Sequence, residues 1–195
     1  MSKKYDLSLV LDEETEKMLR DGEYLGEGNN GIVFLLPGRK IIKIFYDKKT
    51  CLKEALILKK VNGSVYFPKM IKHGSKYIVR ELVEGTRLDI YLKDHELTEK
   101  LTRKIYKLLK EFRKLKFTKL DIRCRDVYVD KNKNLKIIDP RGSFTRNKSY
   151  PRHLMKGLKN IGVLDKFLEN MMNIDKESGI AWREQFDKYT RLGIK

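Results

Sequence analysis

The stretch YLGEGNNGIVFLLPGRKIIKIFYD, residues 24–47, decides the fold. Its β-branched and aromatic residues fall into three short runs, separated by GEGNNG and then by Pro37-Gly38. It therefore reads as strand, glycine-rich turn, strand, tight turn and strand. The spacing Gly26-x-Gly28-x-x-Gly31-x-Val33 also fits a dinucleotide-binding loop, but such a loop opens a helix. Here an apolar run, a turn and another strand follow, which fits a glycine-rich flap between antiparallel strands. Glycines there let backbone N–H groups approach phosphate oxygens with no Cβ in the way. A plain flexible hairpin fits the same residues and stays open at this point.

Downstream, KKTCLKEALILKKVNG places Leu52, Ala55, Leu56 and Lys59 at helical spacing and is expected to stop at Asn62-Gly63. FPKMIKHGSKYIVRELVEG returns to strand character, so the first part of the chain reads β-β-β-α-β-β. A short helix is expected in the polar N-terminal segment. From Leu88 the character changes. LTEKLTRKIYKLLKEFRKL puts Leu101, Ile105, Leu108, Leu109, Phe112 and Leu115 on one helical face, with lysines and arginines mostly off it. Two short strands, VYVD and LKIID, follow around KNKN, and the remainder looks helical.

The 195 residues suit one compact domain with two small lobes. Two cysteines, Cys51 and Cys124, form no CxxC pair and suggest neither a disulfide framework nor a zinc site. No uninterrupted signal-peptide core and no run of membrane-spanning length is found, so a soluble, cytoplasmic protein with no membrane partner is expected. Forty-four Lys and Arg against 27 Asp and Glu give a formal charge of +17, which attracts polyanions. Charge alone supplies affinity without sequence reading, so nucleic acid enters only as a candidate partner.

Two features carry chemistry. Lys43 lies inside KIIKIF, where a partly buried ammonium needs an anion, and Glu54 in the following helix is the obvious partner. Farther on, KLDIRCRDVYVDKNKNLKIIDPRG, residues 119–142, gathers Asp121, Asp126, Asp130 and Asp139. A hairpin there is one way to bring separated carboxylates together for a metal and a proton acceptor, which the spacing by itself leaves open.

These features, in this order, resemble the protein-kinase superfamily over about residues 20–145, and look closest to its small, minimal members such as the RIO type, the KEOPS-complex kinase and short bacterial serine/threonine kinase-like proteins. Ile41-Ile42-Lys43 is similar to the V-A-I-K strand, Asp121 to Asp126 has the spacing of the D-x-x-x-x-N catalytic loop, and IIDPRG stands where D-F-G stands. The resemblance implies an α+β, bilobal protein-kinase-like fold, with a β-rich N-lobe at about 1–84 and a reduced helical C-lobe at 85–195. It implies ATP with Mg²⁺ or Mn²⁺ as cofactors. Gly26, Gly28, Gly31 and Val33 then cover the nucleotide, Lys43 and Glu54 hold its phosphates, and Glu81 and Val83 lie near the adenine. Asp126 and Asp139 hold metal, while Asp121 is the base and Arg123 the cation near the γ-phosphate.

The departures are equally specific. Lys119-Leu120 replaces His-Arg, Asp126 replaces Asn, Pro140-Arg141 replaces Phe-Gly, and no A-P-E follows. Arg80 stands where the family has an apolar residue beside the adenine pocket. The expected function is ATP-dependent phosphotransfer to a hydroxyl-bearing acceptor, of the serine/threonine protein kinase type. A nucleotide-binding or scaffolding pseudokinase and an RNA-associated kinase or ATPase are the alternatives.

Overall fold

The three expected strands form as β1 (Glu23–Gly28), β2 (Gly31–Leu36) and β3 (Lys40–Phe45), followed by helix α2 (Lys48–Lys60), β4 (Met70–His73) and β5 (Tyr77–Glu81). A short helix, α1 (Glu13–Arg20), precedes them, as the N-terminal segment suggested. The computed structural model describes residues 9–117, 122–139 and 149–193. It divides into two compact units, Met1–Val83 and Glu84–Lys195.

In the first unit the strands make one antiparallel sheet of order β1-β2-β3-β5-β4. Strand alternation gives it two different faces. One face presents Leu36, Ile42, Tyr77 and Val79, packed against Leu9, Leu11, Met18 and Leu19 of α1 and the residues before it. Asp12 caps α1 by accepting from Thr15 N at 3.0 Å, and also accepts from Tyr77 Oη and Lys72 Nζ, each at 2.8 Å. The N-terminal cap thus doubles as the tie between helix and sheet.

Helix α2 packs near β3, β4 and β5. Its inward face, which the spacing left open, is not the stripe of Leu52 and Leu56. Leu52 and Leu56 are 54% and 56% exposed, whereas Cys51, Glu54, Ala55 and Leu58 are buried. The buried set recurs at i, i+3, i+4 and i+7, the helical period, one position earlier than Leu52, Ala55, Leu56 and Lys59. Cys51 and Ala55 are small, which lets the helix approach the sheet more closely than leucines would. The helix ends at Lys60 with Val61 as its C-cap, and Gly63 takes a left-handed φ of 92° just beyond.

The second unit contains β6 (Thr86–Arg87), α3 (Leu88–Asp94), α4 (Glu99–Lys114), a 3-10 turn at Cys124–Asp126, β7 (Val127–Val129) and β8 (Leu135–Ile137), then α5 (Arg152–Ile161), α6 (Leu164–Ile174) and α7 (Lys176–Leu192). A small sheet of order β6-β7-β8 carries the expected hairpin. Helix α4 buries Leu101, Ile105, Leu108, Leu109 and Phe112, as its spacing predicts, while Leu115 at its C-cap is only half-buried. Buried Asn170 of α6 donates to Leu97 O at 3.1 Å and Thr102 Oγ1 at 3.0 Å. Trp182 of α7 stacks on Phe167 of α6, closing the helical core. The α+β class expected from sequence is thus present, with strands dominating the first unit and helices the second. No helix among the described residues is long and apolar enough to cross a membrane.

Candidate functional site

The glycine-rich turn joins β1 to β2, with Gly28 opposite Gly31 and a bulge between Tyr24 and Gly26. A bulge adds twist and bends the strand locally. The three glycines are constrained differently. A Cβ on Gly31 would lie 1.9 Å from the Ile44 carbonyl oxygen, so the sheet itself excludes a side chain there. Around Gly26 and Gly28 nothing lies within 4 Å of such a Cβ. Packing does not demand glycine at Gly28, and the open space beside it leaves its backbone accessible.

Register then places Val33 of β2 directly opposite Lys43 of β3 on one face of the sheet. Lys43 Nζ donates to both carboxylate oxygens of Glu54 at 2.9 and 2.6 Å, and lies 4.6 Å from the Phe45 ring centroid. The Glu54 side chain is 2% exposed and that of Lys43 14%. A carboxylate that deeply placed is stable as an anion only with such a partner. The lysine remains at the edge of the buried region, where it can also meet a second anion. The pairing inferred from Lys43 in its apolar strand is therefore present.

Arg80 of β5 pairs in register with Ile41, which puts it on the Lys43 face of the sheet. It is 8% exposed, and its Nη1 donates to the Glu81 backbone oxygen at 3.0 Å. This orientation was not readable from sequence. The Glu81 carboxylate accepts from Lys69 N at 3.1 Å and so is used in holding β4 to β5. Val83 is buried at the end of the unit.

In the second unit the hairpin places two of the gathered aspartates at one end. Val127 of β7 pairs with Ile137 of β8, and Ile138 N donates to Asp126 O at 3.1 Å. Asp126 thus precedes one strand where Asp139 follows the other. Arg123 lies 3.8 Å from the Asp126 carboxylate and is exposed. Asp121, Pro140 and Arg141 lie outside the described residues. Asp130 takes a different part from the one suggested by its place in the cluster. Its Oδ1 accepts from Asn132 N at 2.8 Å and Asn134 N at 2.7 Å, closing the β7–β8 turn. Partial burial acts to raise its pKa, but the bonds from Asn134 and Asn132 outweigh that and lower it. Among the described residues no group of three or more His, Cys, Asp or Glu gathers as a metal cage.

Burial pushes the Cys51 thiol up to about 11 and the Cys124 thiol up to about 12. Neither thiol offers a nucleophile near neutral pH.

No family model matches the chain. Over 121 residues it is 26% identical to "Putative serine/threonine-protein kinase YrzF" of Bacillus subtilis (strain 168), a match covering 59% of this chain and 56% of that protein. The chain thus spans about half the length of the curated relative it matches. Among solved structures it is similar to a chain of the streptomycin–ATP–APH(2″)-IIa ternary complex, with a TM-score of 0.39 and 16% identity over 54% of this chain and 40% of that one.

Proposed function

We propose that this chain is an ATP-dependent phosphotransferase acting on a hydroxyl group, with a protein serine or threonine as acceptor. The observation that carries the proposal is the ion pair between Lys43 and buried Glu54, on the face of a sheet whose first turn is glycine-rich. A structural ion pair needs no neighbouring glycine turn with empty space around Gly28; a phosphate anchor does. Similarity to a protein named as a serine/threonine kinase supports the same reading.

Lys43 holds phosphate oxygens, kept in place by Glu54. Asp126 and Asp139 suit Mg²⁺ in chemical type, since that ion takes hard oxygen donors and is commonly held by one or two carboxylates together with phosphates. Bound there, the metal would neutralise phosphate charge. Asp121 takes the proton of the acceptor hydroxyl as its oxygen attacks the γ-phosphorus and the bond to ADP breaks. Arg123 adds positive charge beside the transferred group. Phosphoryl transfer depends mainly on such positioning and charge neutralisation.

A second reading, a nucleotide-binding module without transfer, is favoured by one observation. Arg80 donates to the Glu81 backbone oxygen, an acceptor an adenine would otherwise use in the proposed site. Thermal unfolding with ATP plus Mg²⁺ or Mn²⁺, combined with radiolabelled phosphate transfer, separates the readings. The wild type is expected to gain stability by mass action and to transfer phosphate. Asp139→Ala should lose the metal-dependent gain, and Asp121→Asn should lower transfer by roughly 10²-fold while keeping the gain. Stabilisation without transfer supports the second reading, and no stabilisation with any nucleotide refutes both.

A further inference from the structure

Basic side chains that lie far apart in the sequence converge on one cavity of the second unit. Its volume is about 460 Å³, and Lys93 of α3, Arg123 just before the 3-10 turn, Arg125 within it, and His153 and Lys156 of α5 line it. Asp89 is the only carboxylate among the described lining residues. Arg87 already holds it through hydrogen bonds of 3.0 and 2.5 Å, so that negative charge is offset. Lys93, Arg125 and Lys156 are exposed. A recess lined by one sign of charge between low-dielectric walls concentrates the field within it.

The recess depends on close packing of α5. A Cβ on Gly157 would come 2.6 Å from Cys124 Sγ, so the bare glycine lets the helix close on the 3-10 turn. That approach brings Lys156 and His153 to the same rim as Arg123 and Arg125. Of these, phosphotransfer as proposed above uses only Arg123. Arg123 is shared with the Asp126 carboxylate at 3.8 Å, and the exposed cations Lys93, Arg125 and Lys156 gathered at a concave surface fit an anionic ligand.

We propose that this cavity binds an acidic segment of the acceptor polypeptide, through Asp, Glu or phosphorylated side chains. Describing that polypeptide as the acceptor rests on the phosphotransferase reading; the anionic peptide site does not. The volume falls within the roughly 300–1,000 Å³ of ordinary ligand clefts, room for a few side chains. The described lining contains no Phe, Tyr or Trp, whereas single-stranded nucleic acid is held by stacking its bases on aromatic rings. A peptide of carboxylates or phosphates needs only the cations that are present.

Fluorescence anisotropy on the full chain without nucleotide tests this with four labelled probes at moderate salt. These are a serine peptide flanked by Asp and Glu, its Asn and Gln counterpart, a phosphoserine version, and a single-stranded oligonucleotide. The acidic or the phosphorylated peptide should bind about tenfold or more tightly than the neutral one, and the tighter of the two identifies the source of the anion. Lys93→Ser with Lys156→Ser should weaken it by about tenfold, and Lys93→Arg with Lys156→Arg should retain it. Lys100→Ser with Lys107→Ser removes the same charge from exposed positions of α4 and should change nothing. Equal weakening by that control, equal binding of the neutral peptide, or tighter oligonucleotide binding lost with the same two lysines overturns the proposal. In transfer assays, Lys93→Ser with Lys156→Ser should raise KM for the acidic peptide and leave kcat unchanged. Charge-specific binding without any transfer sinks the phosphotransferase reading alone. Transfer that ignores the charge of the peptide sinks the acceptor site alone.

Discussion

Gly28 and Gly31 lie three residues apart in one turn and owe their identity to different constraints. At Gly31 the Ile44 carbonyl oxygen would stand 1.9 Å from a Cβ, closer than any side chain tolerates. Gly31→Ala should therefore cost roughly 2 kcal/mol or more, read from chemical denaturation, because the β2–β3 pairing has to shift. At Gly28 a Cβ meets nothing within 4 Å, and no left-handed φ forbids it. Gly28→Ala should leave stability within about 0.5 kcal/mol, yet reduce the thermal shift given by ATP and Mg²⁺. A full ATP response in that variant would show that the turn is only a hairpin. The spacing alone could not separate the two glycines, since the oxygen that excludes a side chain at Gly31 belongs to another strand. Arg80 is similar: the β3–β5 register puts its side chain on the Lys43 face and brings it to the Glu81 carbonyl, and neither followed from the sequence.

At the scale of elements, β3 and α2 are joined by a pair whose members are unequal. Glu54 is almost fully buried and Lys43 is not, so removing the lysine leaves an anion with no compensating charge. Lys43→Met is expected to destabilise by about 3 kcal/mol, and Lys43→Met with Glu54→Leu should recover most of that, as replacing both partners of a buried pair does. Nucleotide-dependent stabilisation should stay absent in both. Independent, additive losses in the denaturation cycle would mean that the two side chains do not act as a pair. Helix α2 itself was legible as a helix, though its spacing did not fix its inward face. Hydrophobicity favoured the stripe of Leu52 and Leu56. The close approach that Cys51 and Ala55 permit, together with the demand of Lys43 for an anion, instead turns Cys51, Glu54, Ala55 and Leu58 inward. In the hairpin the adjacent ends of β7 and β8 were legible from strand length and turn residues. Asp130 was not, because the backbone N–H groups that hold it appear only once the turn has formed.

Across the whole molecule, the carboxylates with lowered pKa lie in both units. Lys72, with Tyr77 and Thr15, holds the Asp12 carboxyl well below the usual range, and Thr50 lowers Asp47 at the N-cap of α2. In the second unit Arg87 lowers Asp89, and Tyr106, with Ser178, lowers Asp175. Each folded pKa lies below its unfolded value, so near and below the ordinary carboxylate value of about 4 the unfolded chain binds more protons. The stabilisation is fully present above that value and is lost as pH falls toward the folded pKa. Thermal midpoints should be nearly level from about pH 7 to 5 as far as these groups are concerned, and should fall below about pH 4. The formal charge of +17 adds repulsion that grows as carboxylates are protonated. Midpoints unchanged down to pH 3 would contradict the ties from Asp12 and Asp175.

Periodicity and punctuation by themselves determined the order β-β-β-α-β-β of the first unit, the buried face of α4, and the need of Lys43 for Glu54. Those are local properties: alternation, turn residues and one charge in an apolar strand act over a few positions, whatever lies beyond. Only the tertiary structure decided which side of α2 faces the sheet, which glycine is fixed by packing, and that Asp130 closes a turn. It alone gathered Lys93, Arg123, Arg125, His153 and Lys156 at one recess. In the sequence each of these reads as ordinary basic surface, because their common field arises only when α5 packs against the 3-10 turn through Gly157.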